Sequence, residues 1–271
     1  MKIINLKIIY FLLLAISSTL MSCGKDELSK PIDSSEYIDI NITFDNVFDT
    51  ADLVLNDGVY SSDFEELFTI RRFNYFVSNF EFIDENNVRY AIPQDSSYFL
   101  IKEGDVHSYT CRFKNVPNRK YTAMKFVIGV DSLRSTMGIE HRTGVLDVGG
   151  YASDMAWTWN QGYIFLKLEM FQYKSKGDTS APRPFIYHIG GYGGTNTPSI
   201  NNIRETTLTF PRTIDVSKNA DVHIQVKADA SKVINGTTKI EIEKYQTVML
   251  TPFSSTIADN YKDMFSIKSL E

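Results

Sequence analysis

Short segments in which every second residue is apolar recur along most of this chain, and this alternation most constrains its fold. The first begins at Tyr37, where isoleucines and a phenylalanine alternate with polar residues as far as Phe44. A period of two places successive side chains on opposite faces of a β-strand. The same pattern predicts strands at Phe73/Tyr75/Val77, Phe80/Phe82, Met124/Phe126/Ile128/Val130, Ile164/Leu166/Leu168/Met170, Val222/Ile224/Val226 and Ile240/Ile242.

Turn-forming residues separate these segments, and together they predict an all-β fold. The turn signals are Asp84-Glu85-Asn86-Asn87, Pro117-Asn118, Lys176-Gly177-Asp178 and Asn235-Gly236. Many short strands and an aromatic content of 13% favour an antiparallel β-sandwich, immunoglobulin-like or jelly-roll-like, over a parallel α/β sheet. Near the end, Thr256 is placed to cap a short C-terminal helix whose apolar stripe includes Ile257 and Tyr261.

Residues 1–22 have the three parts of a secretory signal peptide. Lys2 and Lys7 provide the basic start, and the apolar stretch at residues 8–16 is too short for a transmembrane helix of about 20 residues. The box at residues 20–23 resembles a lipoprotein signal, in which the cysteine is lipidated and becomes the mature N-terminus. We therefore expect lipidation at Cys23, a lipidated tether over residues 23–36, and one domain over residues 37–271.

The residues after Cys23 bear on where the protein is located. Gly-Lys-Asp-Glu at positions 24–27 resembles an export tag of Gram-negative surface lipoproteins, although a solvated tether explains it equally well. The resemblance implies an outer membrane lipoprotein, held by lipid on Cys23, at the cell surface.

Charge and cysteine content exclude several classes of function. Without Lys2 and Lys7, 26 basic residues face 33 acidic ones, which makes nucleic-acid binding unexpected. With Cys23 lipidated, Cys111 has no partner for a disulfide or a cysteine-rich metal site. The sequence contains no HExxH, CxxC or GxSxG motif, so we do not expect an enzyme.

Two segments carry the residues most suited to a binding site. Both tryptophans lie in one of them, where Met155, Trp157 and Trp159 would point the same way in an extended strand. About 25 residues later, His188 stands in an apolar strand that ends in glycines at a predicted hairpin turn. Each segment has a simpler explanation, namely an aromatic core patch and a hydrogen-bonded core histidine.

Taken together, several motifs in the chain resemble the MbnP-like family, named for a methanobactin-associated copper-binding periplasmic protein. They occur in a similar order over most of the mature chain: Asn74-Tyr75-x-x-Ser78-Asn79, Gly129-Val130-Asp131, Gly144 with Leu146-Asp147, Asp154-Met155 with Trp157 and Trp159, Gly162-Tyr163, Glu169, His188-Ile189-Gly190, and Asp259-Asn260-Tyr261 with Phe265.

This resemblance implies a β-sandwich that binds or handles copper. In characterised relatives a tryptophan is oxidised to kynurenine by a di-haem cytochrome c peroxidase-like enzyme, and histidines help to hold the metal. The corresponding residues here are His188, Trp157, Trp159 and Met155, with His141 and His223 as additional candidate ligands. The family also implies a TonB-dependent outer-membrane receptor as a partner.

The sequence departs from the family pattern in its histidines. None of the four lies two residues from a tryptophan, so a Trp-x-His copper arrangement is absent. Two alternatives therefore remain open: a metal-free module that binds glycans or peptides through exposed aromatic side chains, and a fold that keeps these motifs for packing alone.

Overall fold

The computed structural model describes residues 36–159, 162–173, 182–215 and 221–271. The predicted signal peptide, Cys23 and the tether up to residue 35 lie outside this part of the chain. Ser34–Glu271 forms one compact unit. No helix in the described ranges is both long enough and apolar enough to span a bilayer.

The described residues contain fourteen strands and three short α-helices. The strands are β1 (Tyr37–Phe48), β2 (Ala51–Asp52), β3 (Val59–Ser61), β4 (Leu67–Asp84), β5 (Arg89–Ala91), β6 (Tyr98–Lys102), β7 (Thr110–Pro117), β8 (Tyr121–Ile128), β9 (Ile164–Tyr173), β10 (Arg183–Gly190), β11 (Arg204–Ile214), β12 (Val222–Asp229), β13 (Thr247–Val248) and β14 (Phe265–Leu270). The helices are α1 (Ser132–Thr136), α2 (Ser231–Asn235) and α3 (Ser254–Tyr261).

The strands form two sheets that pack as a β-sandwich, which confirms the predicted fold class. In the five-stranded sheet the order is β14-β12-β1-β2, and β7 pairs with the same edge of β1 as β2 does. In the nine-stranded sheet the order is β11-β8-β4-β9-β10-β13, and β3, β5 and β6 also pair with β4. Both sheets are mixed, because β1 runs parallel to β12 and β10 runs parallel to β13.

The main core lies between the two sheets and is rich in aromatic side chains. Phe44 from the smaller sheet is fully buried against Tyr75 and Phe126 from the larger sheet, with ring centroids 6.1 and 6.0 Å away. It also meets Phe265 on β14 at 5.8 Å. These edge-on contacts join both sheets around one phenylalanine.

Three local predictions differ from the structure. The C-terminal helix is present, but it begins at Ser254, so Thr256 lies inside its first turn and does not cap it. The segment around Ile240 and Ile242 was predicted as a strand, whereas residues 242–244 form a 3-10 turn. The glycines after β10 close a small local bridge between Tyr192 and Asn201. They do not form a hairpin between adjacent strands, because β10 and β11 are separated by three other strands.

We predict that Phe44→Ala will lower the free energy of unfolding by about 3–5 kcal/mol, because it removes a buried ring and leaves a cavity between the sheets. Phe64→Ala is the matched control, since Phe64 is 48% exposed and its loss should change stability by less than about 0.5 kcal/mol. Urea denaturation of both variants measures the difference. Equal losses would show that the core is not centred on Phe44.

Candidate metal site

A row of polar side chains crosses the outward face of the larger sheet. Lys102 on β6 is the register partner of Asn74 on β4, which in turn pairs with Lys167 on β9. Lys167 also pairs with His188 on β10. His188 faces outward because Tyr187 and Ile189, its neighbours along the strand, are buried in the main core. Four adjacent strands therefore place one polar residue each on a common line.

Asp154 lies over this row and is bound from several strands at once. Its carboxylate accepts hydrogen bonds from Arg72 at 2.8 Å, Lys102 at 3.3 Å and Asn74 at 3.5 Å. Its backbone carbonyl accepts a hydrogen bond from the ammonium group of Lys167. The segment that continues into Met155 is therefore fixed to the sheet at its start.

The charges around Asp154 shift the pKa values of two of these groups. Burial alone would raise the pKa of Asp154, but Lys102, Lys167 and Arg72 outweigh it and hold that pKa below its usual value of 3.8. Burial lowers the pKa of Lys167 below its usual 10.5, and the neighbouring carboxylates of Asp154 and Glu169 oppose this shift. Asp154 is therefore a carboxylate at neutral pH.

A second hydrophobic cluster packs beneath the same segment, outside the main core. It contains Phe76, Tyr98, Leu100, Val130, Leu146, Ala152, Met155, Tyr163, Ile164 and Phe165, with Trp157 and Tyr192 partly buried against it. Met155 is fully buried there, so its thioether packs under the loop. This cluster and the Asp154 contacts together position the two tryptophans.

Trp157 packs against β10 two residues beyond His188. A β-carbon at Gly190 would fall 2.2 Å from the carbonyl oxygen of Tyr163 and 2.8 Å from the edge of the six-membered ring of Trp157, so glycine is required there. Gly190 and His188 are two residues apart on β10, which corresponds to about 7 Å along an extended strand, and the register with β9 shifts between Ile189 and Gly190. The structure thus brings together two of the predicted site residues.

The two tryptophans form a pair with very different exposure. Their ring centroids are 5.3 Å apart and the planes are tilted by 39°. Trp159 is 64% exposed, whereas Trp157 is partly buried between its neighbour and β10. The indole nitrogen of Trp157 is buried and has no acceptor within the described part of the chain.

Glu169 orients the His188 ring. Nε2 of His188 lies 3.0 Å from a carboxylate oxygen of Glu169, whose other oxygen lies 3.6 Å from the Arg72 guanidinium. The His188 side chain is only 14% exposed, and burial lowers the pKa of its ring below 6.5 despite the Glu169 hydrogen bond. A neutral ring that donates Nε2–H to the carboxylate keeps its lone pair on Nδ1.

The other histidines stand elsewhere. His223 is exposed on β12 of the smaller sheet, opposite Asn41, and therefore on the other outer surface of the sandwich. His141 is exposed beside Glu140, and His107 lies in an exposed 3-10 turn. In the described ranges, no three His, Cys, Asp or Glu side chains come close enough to hold a metal ion.

Sequence reasoning missed the supports of this site. Lys167 stands in an apolar strand, and Arg72 and Lys102 belong to strands far from it in sequence, so only their register shows that they converge on Asp154. The family motif included Asp154 and Glu169 without indicating their partners. Alternation along β9 was the one local indication of these supports, since it puts Lys167 and Glu169 on the same face of the strand.

Comparisons with known proteins agree with this architecture. A family model described as MbnP matches residues 37–250. Among solved structures, MbnP from Methylosinus trichosporium aligns with a TM-score of 0.51 at 16% sequence identity, covering 74% of this chain and 78% of that chain. At this identity the structural likeness shows a shared fold. A search of curated proteins gives no match.

We predict that Asp154→Asn will destabilise the protein by about 1–2 kcal/mol at neutral pH, because charge-assisted hydrogen bonds lose their carboxylate in a partly exposed setting. The pKa of Asp154 is lower in the folded protein than its usual value of 3.8. Its carboxylate therefore contributes stability that is fully present above pH 3.8 and is lost as the pH falls through the lowered pKa. The stabilities of the variant and the wild type should therefore converge once the pH falls below the lowered pKa of Asp154.

Fluorescence can follow this transition, since both tryptophans lie in the segment that Asp154 fixes. Asp259→Asn is the matched control, because it alters an exposed carboxylate that pairs with Arg204 and should have little effect. A difference between wild type and Asp154→Asn that does not change with pH would contradict the role given to the carboxylate.

Proposed function

This chain belongs to the MbnP family, and we propose from that premise that it is a non-enzymatic lipoprotein that binds copper. The proposed site lies on the outward face of the larger sheet, between His188 and the Trp157/Trp159 pair. One observation supports it above the others: Trp157 packs on Gly190, two residues from His188 along the same strand.

The chemistry of the available donors limits how copper can bind. His188 offers one imidazole lone pair, and imidazole suits copper. An unmodified indole offers only an N–H donor, whereas kynurenine has an amine and a ketone that can act as ligands. The residues therefore fit copper when a tryptophan has been oxidised, as the family resemblance implies. Met155 is buried beneath the pair, and we assign it to packing around the site.

Glu169 has a supporting role in this proposal. Metal-binding histidines usually donate their second N–H to a carboxylate or carbonyl, which fixes the tautomer and the ring orientation. Glu169 stands in that position at 3.0 Å from Nε2. His188 would therefore bind copper through Nδ1. His141 and His223 are not needed, and the opposite location of His223 argues against its use.

The proposal includes a location and two partners. Lipid on Cys23 would hold the protein at the outer membrane, facing the cell surface or the periplasm. A di-haem cytochrome c peroxidase-like enzyme would oxidise the tryptophan, and a TonB-dependent receptor would act with the protein in uptake. The exposed face of Trp159 supports an approach of the oxidising enzyme from solvent.

The same exposure favours one alternative function. A ring that is 64% exposed and backed by a second indole is suited to stacking on a sugar or a peptide side chain. Glycan-array binding that survives chelation and is lost in Trp159→Ala would favour this metal-free module over the copper site.

We predict that His188→Ala will abolish specific copper binding by protein purified from its native host. Glu169→Gln should weaken the affinity by about 10–100-fold, because it removes the orienting charge while preserving size. Competition with a chromogenic copper chelator measures both effects.

His223→Ala is the matched control for this titration, because it removes an exposed imidazole from the opposite surface. It should bind copper as the wild type does. Circular dichroism of all three variants checks that the fold is retained. An unchanged affinity in His188→Ala would overturn the copper site.

We also predict that Cys23→Ala will abolish incorporation of labelled palmitate and move the protein from the membrane fraction to the soluble fraction. The thiol of Cys23 is the expected lipidation site, whereas Cys111 is buried in the core. Cys111→Ala should therefore remain in the membrane fraction. Membrane retention of Cys23→Ala would show that another feature holds the protein there.

A further inference from the structure

A cleft of about 340 Å³ opens at the end of the sandwich where β9 ends at Tyr173 and β10 begins at Arg183. The start of β4 and the 3-10 turn at residues 242–244 contribute the rest of its described lining. We propose that this cleft binds the primary ammonium group of a small aliphatic amine. It lies apart from the candidate metal site, because His188 faces outward from the larger sheet whereas Gln172, which lines the cleft, lies on the inward face.

Gln172 brings a polar group without a partner to this cleft. It follows Leu168 and Met170 in the alternation of β9, and both of those side chains pack in the main core. Only 6% of Gln172 is exposed, and its buried amide oxygen has no donor within the described residues. Buried polar groups normally have a partner. Because the two ends of an amide exchange when it turns by 180°, the unused acceptor can face the cleft.

The charges around the cleft determine which kind of ligand it suits. Three carboxylates line it, whereas Arg183 is the one basic residue among the described residues of its lining. The guanidinium of Arg183 is 2.8 Å from the carboxylate of Glu243. The carboxylates of Glu65 and Glu66 therefore have no basic partner within the described ranges, and attraction between opposite charges favours a cationic ligand.

The backbone and a hydroxyl group hold Glu66 in place without neutralising it. One of its carboxylate oxygens accepts hydrogen bonds from the Ser62 hydroxyl at 2.8 Å and from the backbone N–H of Ile242 at 2.9 Å. The other oxygen accepts the backbone N–H of Glu243 at 2.7 Å. All three donors are uncharged, so the negative charge remains. The second oxygen also keeps a lone pair for a ligand.

A second buried polar atom lies within the electrostatic field of Glu66. Tyr187 shares the inward face of β10 with Arg183, and its hydroxyl is buried without a partner in the described part of the chain. Burial raises the pKa of Tyr187, and the charge of Glu66 raises it further. This end of the core therefore contains two polar groups that can still accept a hydrogen bond.

An organic ammonium group fits these residues better than a metal ion does. No three His, Cys, Asp or Glu side chains of the described ranges come close enough to hold a metal. An ammonium group has three N–H donors, which can bond to separate acceptors such as the amide of Gln172 and the carboxylate of Glu66. Leu67 gives the cleft an apolar wall for a short alkyl chain. The volume is at the lower end of the range for ligand pockets, which suits a small molecule.

Isothermal titration calorimetry of the full-length protein with 1,4-diaminobutane tests this proposal. The neutral analogue 1,4-butanediol, which has the same carbon chain, is the control ligand. We expect the diamine to bind at one site per chain, with an affinity that falls as salt is added, and the diol not to bind. Equal heats from the two compounds, or no heat from the diamine, would overturn the proposal.

Gln172→Leu should weaken binding of the diamine by about 10–100-fold, because it removes an acceptor for a charged donor. The fold should be retained, since the lost oxygen has no donor within the described residues. Gln225→Leu is the matched control on β12 of the smaller sheet and should bind as the wild type does. An unchanged affinity in Gln172→Leu would contradict the role given to the amide.

Glu65→Gln keeps the test decisive if Gln172→Leu does not fold, because Glu65 is exposed. It should weaken binding by about two- to fivefold at low salt, and the difference from the wild type should vanish at high salt. Wild-type affinity of this variant at low salt would overturn the proposal. None of these measurements involves His188, so their outcome is separate from that of the copper titration.

Discussion

The structure depends on β4 being buried on both faces. This strand of 18 residues sends Phe73, Tyr75 and Val77 into the main core. Its other face carries Phe76, which enters the second cluster, and Asn74, which is also buried. A strand enclosed in this way cannot leave a polar side chain without a partner. Asp154 supplies that partner, and so the packing of β4 determines where the tryptophan segment lies.

The same strand explains why the site is built from residues far apart in sequence. Asp154 lies 82 residues from Arg72 and 52 from Lys102, and it reaches them because β6 and β9 both pair with β4. These contacts also fix the segment that carries the tryptophans, although it lies outside the regular strands. A loop held by a partly buried carboxylate and a hydrophobic cluster can present side chains as rigidly as a strand does.

Alternation in the sequence was enough to predict the sandwich but not the surroundings of the site. The inward residues of β1 and β12 followed directly from a period of two, yet their parallel pairing is a long-range contact that no local pattern encodes. Met155, Trp157 and Trp159 were expected to point the same way from a strand. Instead, burial decreases along this segment, from a fully enclosed thioether to an exposed indole. His188 had the local context of a core residue, and the burial of Tyr187 and Ile189 in the main core shows that it faces outward.

The charges near His188 bear on how its ring is held on the sheet. Arg72, Lys102 and Lys167 are basic, whereas Asp154 and Glu169 are the carboxylates that face them. The charge nearest to the ring is the Glu169 carboxylate, 3.0 Å from Nε2, and Coulomb energy falls with distance. That carboxylate is itself 3.6 Å from the guanidinium of Arg72, its register partner on β4. The pairing of β4, β9 and β10 therefore fixes both the carboxylate and the imidazole that it holds.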